Sequence, residues 1–177
     1  RSFTVFNVEQ CENLTLDKLT LEAPVAGDPS CFIADEVAKR VGAKVIFGGT
    51  EAAYSPLLDR IKMPVRAAFT SDEDYNGTHL HELTHWTGHS SRCDRKFGKR
   101  FGDRAYAFEE LVAEFGAAFT CALLGVKGKL QHPEYLGHWA SILKADKHAI
   151  FTAAREAEKA CRVLVPETES SDESEGD

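Results

Sequence analysis

The chain has 177 residues, 43% of them hydrophobic and 28% charged, which is the size of one ordinary domain and the balance of a globular protein in water. It carries no run of 18 or more apolar residues to cross a bilayer, and Arg1-Ser2-Phe3-Thr4-Val5-Phe6 lacks the basic and apolar regions of a secretory signal. A membrane protein is excluded, and the net charge of −7 resides mostly in the last eleven residues.

In chain order, the alternation in Phe3-Thr4-Val5-Phe6-Asn7-Val8 predicts a strand, and helical spacing runs from Ser30 to Val41 before Gly42. Lys44-Val45-Ile46-Phe47 reads as a short buried strand stopped by Gly48-Gly49. Extended pieces follow at Ala52–Tyr54 and Arg60–Met63, with Pro56 between them and Pro64 closing the unit. Ser71 and Asp74 are spaced as an N-cap and its N3 carboxylate, opening a helix that stops at Gly88. Three more helices are expected: Tyr106–Leu124 before Gly125, Pro133–Lys144 with proline in its first turn, and His148–Leu164 before Pro166. Glu167, Glu169, Asp172, Glu173, Glu175 and Asp177 then form an acidic stretch without a base. It cannot bury enough apolar surface to order itself, so residues 166–177 are expected to be a disordered tail. Cys11, Cys31, Cys93, Cys121 and Cys161 show no metal or redox spacing and read as free thiols in a reducing, cytoplasmic setting.

The informative string is His81-Glu82-Leu83-Thr84-His85. Residues four apart lie about 40° apart around a helix, so both imidazoles face one side and can share a zinc ion. Glu82 is offset by about 100°, beside the position of a zinc-activated water. There it would take the water's proton and pass it to a leaving amine, so the pattern points to peptide hydrolysis.

Two histidines require a further protein ligand. His89 follows Gly88 a further turn along the axis, His79 points to the opposite side, and the metzincin pattern would need histidine where Ser91 stands. The helix from Tyr106 offers better donors. Its Ala107, Glu110, Glu114, Ala117 and Cys121 form a stripe of small residues carrying two carboxylates, which on such a face need a metal or a proton donor. Glu110 is assigned to the metal and Glu114 to the free ring nitrogen of a ligand histidine, with Glu114 as the alternative third ligand. Glu109 lies about 100° from Glu110 and is expected to meet solvent.

This two-histidine motif followed by Glu-x-x-x-Glu on another helix resembles the gluzincin arrangement. A closer likeness is carried by Phe3-Thr4-Val5-Phe6-Asn7-Val8-Glu9-Gln10, by the run from Tyr75 to His89, and by Tyr106-Ala107-Phe108-Glu109-Glu110-Leu111-Val112-Ala113-Glu114. These strings resemble the zincin-like metallopeptidase domain of ArdC-type antirestriction proteins, which are related to plasmid primase-associated proteins. The likeness continues through Tyr135-Leu136-Gly137-His138-Trp139 and from Asp146 to Ala160. The resemblance implies a polypeptide carried by plasmids, phages or integrated elements, with a single-stranded-DNA-binding domain ahead of this one. Residues 1–10 would then be the tail end of that domain and residues 11–165 the metallopeptidase domain. It further implies His81, His85 and Glu110 as zinc ligands, Glu82 as the catalytic base, and a protein or peptide substrate.

Arg92, Arg95, Lys96, Lys99, Arg100 and Arg104, interleaved with Phe97 and Phe101, form a basic loop suited to a nucleic-acid backbone, single-stranded DNA included, or to an acidic peptide. Tyr106, His132, Tyr135 and His138 are candidate donors to an oxyanion. Trp86 and Trp139 read as core aromatics. The expected fold is α+β and zincin-like, with a small, mainly antiparallel sheet packed on a helix bundle that carries the motif. The alternative function is a non-catalytic, metal-stabilised binding module that blocks DNA-targeting enzymes.

Overall fold

The computed structural model describes residues 33–97, 104–127 and 136–166. The expected strand over Phe3–Val8, the helix starts at Ser30 and Pro133, and the acidic tail lie outside the described residues.

Helix α1 spans Ile33–Val41, with Asp35 and Glu36 in its first turn and Lys39 and Arg40 in its last, the order that a helix dipole favours. It ends at Gly42, whose φ of +73° is costly for other residues. Strands β1 (Val45–Phe47), β2 (Ala53–Ser55) and β3 (Arg60–Met63) match the expected extended pieces within a residue, but β1 lies at a sheet edge with Ile46 and Phe47 exposed and is not the buried strand expected. They form one sheet in the order β1-β3-β2. β2 and β3 pair antiparallel as a hairpin, while β1 pairs parallel to β3 in the register Val45 to Ile61, so the sheet is mixed. β3 takes the centre because Ile61 and Met63, on its inward face, are fully buried.

α2 (Asp72–Thr87) begins where the capping pattern puts it, with Ser71 Oγ accepting from the Asp74 N–H at 3.1 Å. It is the central element, packed by α1, by β2 and β3, and by α3 (Arg104–Leu124) and α5 (Ala149–Leu164). α2 is buried nearly all round from Tyr75 to Thr87, its histidines and Glu82 included. Its buried polar groups therefore need partners. Asn76 Oδ1 accepts from the Ala34 N–H at 3.0 Å, and Thr84 and Thr87 hydroxyls donate to Leu80 O and Thr84 O.

α3 lies between α2 and α5. Toward α5 it meets Ala153 and Ala157, part of a small-residue stripe that also includes Ala149 and Ala160, through Leu111 and Val112. α4 (Leu136–Ala145) closes this layer with Trp139, whose indole N–H donates to Ala107 O at 3.2 Å. Toward α2 the packing leaves no room for a side chain at Gly116. A Cβ at Gly116 would stand 2.3 Å from Thr84 Cγ2, so only glycine permits this spacing. Cys93, Cys121 and Cys161 are free thiols, and no helix among the described residues is long and apolar enough to cross a membrane.

Two outcomes follow for stability. Gly116→Ala should lower stability by about 1–3 kcal/mol through overpacking, read as a fall in the thermal midpoint, and Thr84→Ala in the same chain should recover part of it. The second concerns Asp35, which accepts from Tyr75 Oη at 2.7 Å and lies 3.0 Å from His79 Nδ1. Burial raises its carboxyl, but the bonds from His79 and Tyr75 outweigh burial and hold its pKa below the usual value. This stabilisation is present above the ordinary aspartate pKa of about 4 and is lost as pH falls through the lower folded value. Asp35→Asn should therefore lower the midpoint at pH 7, with a shrinking difference from the parent in acid.

Candidate metal centre

The close α2–α3 contact sets the imidazoles of α2 against the carboxylates of α3. His81 Nε2 and His85 Nε2 face each other at 3.1 Å. Glu110 completes a triangle, its Oε2 3.5 Å from His81 Nε2 and its Oε1 3.5 Å from His85 Nε2. Donors around a tetrahedral ion with bonds of about 2.0–2.1 Å stand roughly 3.3 Å apart, so these three residues fit one metal ion. All three are buried, and they are the group among the described residues whose donor atoms converge in this way.

The outer ring nitrogens also face carboxylates, His85 Nδ1 within hydrogen-bond distance. Glu114 Oε1 lies 3.5 Å from His81 Nδ1, and Glu109 Oε1 lies 3.2 Å from His85 Nδ1. A carboxylate that accepts from Nδ1 leaves the Nε2 lone pair directed into the triangle. Burial disfavours a charge on His85, but hydrogen bonds to Glu109 and Glu110 outweigh it and raise the pKa to about 10. Burial likewise opposes charge on Glu110, yet its bonds to His81 and His85 hold its pKa well below the usual range. The pocket thus favours positive charge where the three donors meet.

The triangle forms the floor of a cleft of about 240 Å³. Glu82 lines it, as the helical offset from His81 requires, together with Ala52, Ala53 and Tyr54 on the β2 side and Phe97 and Tyr106. Tyr54 is fixed from behind: its hydroxyl donates to Asp59 at 2.9 Å, and Arg92 binds Asp59 while lying 3.7 Å over the Trp86 ring.

Several expectations change. Glu109 is not solvent-facing but buried, because α3 is packed on both sides and has no wet stripe at that position. It is bound by Arg95, whose Nη2 donates to Oε1 at 2.8 Å and whose Nε donates to Oε2 at 3.0 Å. Arg95 and Arg92 are therefore engaged in intramolecular pairs rather than free for a nucleic acid, while Lys96 is exposed. Lys99 and Arg100 lie outside the described residues. The ligand alternatives stay away from the triangle: His79 sits beside Asp35, and His89 Nδ1 bonds the Ser91 hydroxyl at 2.8 Å. Among candidate oxyanion donors, Tyr106 reaches the cleft, His138 is placed only as a backbone position on α4, and His132 and Tyr135 lie outside the described residues. The roles of Glu109, Arg95, Tyr54 and Phe97 went unread in the sequence. The all-round apolar character of α3 is the signal that Glu109 needed a partner.

Comparison with known proteins follows this geometry. Residues 33–156 match the family model described as zincin-like metallopeptidase. The uncharacterized protein y4eC of Sinorhizobium fredii is 35% identical over 162 residues, 90% of this chain and 52% of that protein. DNA primase TraC of Escherichia coli is 39% identical over 158 residues, 88% of this chain and 14% of the primase. The crystal structure of the antirestriction ArdC protein from plasmid R388, Mn(II)-bound, superposes with a TM-score of 0.69 at 42% identity, covering 78% of this chain and 52% of that one. The chain thus spans about half the length, or less, of these relatives.

Glu110→Ala should abolish metal retention, read as zinc per chain after dialysis, while Glu114→Ala should weaken binding without abolishing it. Undiminished zinc in Glu110→Ala would transfer the third position to another residue.

Proposed function

The chain belongs to the zincin-like metallopeptidase family, and from that premise we propose that it is a zinc-dependent hydrolase of peptide bonds. His81, His85 and Glu110 hold the ion and Glu82 is the catalytic base. The observation that carries this reading is the triangle of donors, 3.1–3.5 Å apart, on the floor of a cleft whose wall is Glu82. Two imidazoles and one carboxylate suit zinc, whereas manganese and magnesium prefer oxygen-rich sets. The Mn(II)-bound structure of the ArdC relative supports the binding of a divalent cation by this chain. When bound, such an ion brings the pKa of a water to about 7 and polarises the substrate carbonyl.

The residues of this chain supply the rest. Glu82 accepts the proton of the attacking water and delivers it to the departing amine. Glu114 orients His81 through Nδ1. Tyr106 stands on the cleft wall as a donor to the developing oxyanion. β2 is an edge strand, and Ala52, Ala53 and Tyr54 line the cleft, so an extended peptide adds beside it through its backbone. A structural zinc site is closed by four protein ligands, and three donors with an adjacent base favour catalysis over a metal-stabilised binding module.

We place this domain in a cytoplasmic antirestriction protein of a mobile element. We assign residues 1–10 to the end of a single-stranded-DNA-binding domain and residues 166–177 to an acidic tail after the catalytic domain. Contact with DNA falls to that domain and to Lys99, Arg100 and Arg104, with His138 and Tyr135 as additional oxyanion donors.

Glu82→Gln should keep the zinc content and thermal midpoint of the parent and lower cleavage of an unfolded protein substrate by about 100-fold or more. Full cleavage by that variant would remove Glu82 from the mechanism and return the binding module as the better account.

A further inference from the structure

Glu109 and Glu110 are adjacent in sequence, equally buried, and both beside His85. Nothing in the residue type decides which carboxylate takes the metal and which takes the outer ring nitrogen. We infer that Arg95 makes that decision: it pins Glu109 on His85 Nδ1 as a positioning residue and leaves Glu110 as the ligand. The inference rests on the reading of His81, His85 and Glu110 as a metal site.

Arg95 is built into the fold to do this. After α2 the chain turns back, with the Cys93 N–H donating to Thr87 O and the Arg95 N–H donating to Gly88 O, each at 2.9 Å. Asp94 turns the loop with φ of +48°. The guanidinium then lies across Gly88, where a Cβ would stand 2.9 Å from Arg95 Nη2 and 2.7 Å from Phe97 Cζ. Nη1 donates to Thr87 Oγ1 at 2.9 Å and Nη2 to Thr84 O at 2.6 Å, which locks Arg95 to the last turn of α2. Nε and a second N–H of Nη2 go to the two oxygens of Glu109, with side-chain exposures of 5% and 4% for the pair.

A guanidinium offers this fork in fixed geometry, and an ammonium does not. With both of its oxygens held, Glu109 cannot swing toward the His81–His85 gap. Its Oε1 remains on His85 Nδ1, which fixes the ring plane and the tautomer that directs Nε2 inward.

The test uses the full 177-residue chain loaded with zinc or with cobalt(II) as a spectroscopic probe. Glu109→Gln and Arg95→Lys are shape-conserving, and circular dichroism of each before loading confirms the fold. Both should weaken zinc binding by about 10–100-fold. Arg95→Lys should also shift the cobalt visible band toward higher coordination number as Glu109 joins the ion, and the double variant should bind no worse than the weaker single one. Parent-like zinc affinity and cobalt spectra in both variants would overturn the inference and leave the pair as a loop staple. The underlying site is checked separately by Glu110→Ala. Loss of metal there with parent-like Glu109→Gln overturns only the role of Arg95, whereas retained metal there overturns the site and this inference together.

Discussion

The fold depends on how closely α2 and α3 approach. Gly116 and Thr84 meet where no Cβ fits, and that contact carries the carboxylates of α3 within reach of the imidazoles of α2. A wider separation would draw Glu110 and Glu114 away from His81 and His85 and leave buried polar groups poorly partnered, which is costly in a packed interior. The small residues along α5 serve the same end from behind, since they let α3 press forward without a cavity at its back.

Charge is the second constraint. Glu82, Glu109, Glu110 and Glu114 are all buried around two histidines, with Arg95 as the compensating guanidinium. A cluster this acidic is stable when a cation sits within it, and the three convergent donors mark where. The glutamates divide the places around the two histidines, with Arg95 holding Glu109 to its own. Glu110 faces both Nε2 atoms, Glu114 and Glu109 face the outer nitrogens, and Glu82 lines the cleft.

Most of this order was legible in the sequence because it is local. Ser71 opens α2 by capping, Gly125 closes α3 with a φ of +68°, and the four-residue spacing of His81 and His85 fixes their common face without tertiary information. Glu110 and Glu114 were readable because a carboxylate among small residues on a packed helix needs a partner. Glu109 was misread because helical angle alone decides which face a residue occupies, not whether that face is wet. Arg95 was missed for a related reason: its role depends on a loop that folds back across Gly88, and loop geometry carries no periodic signal. The parallel β1–β3 pair was likewise invisible, since pairing direction is set by where the chain returns after the β2–β3 hairpin.

The most direct test is X-ray absorption at the zinc edge of the chain loaded with one ion, with and without a hydroxamate inhibitor. The account predicts a four-coordinate nitrogen and oxygen shell at about 2.0–2.1 Å, with outer-shell scattering from two imidazoles and a gain of oxygen when the hydroxamate binds. Sulfur at about 2.3 Å, a single imidazole, or a shell that does not respond to the hydroxamate would contradict an open centre built from His81, His85 and Glu110.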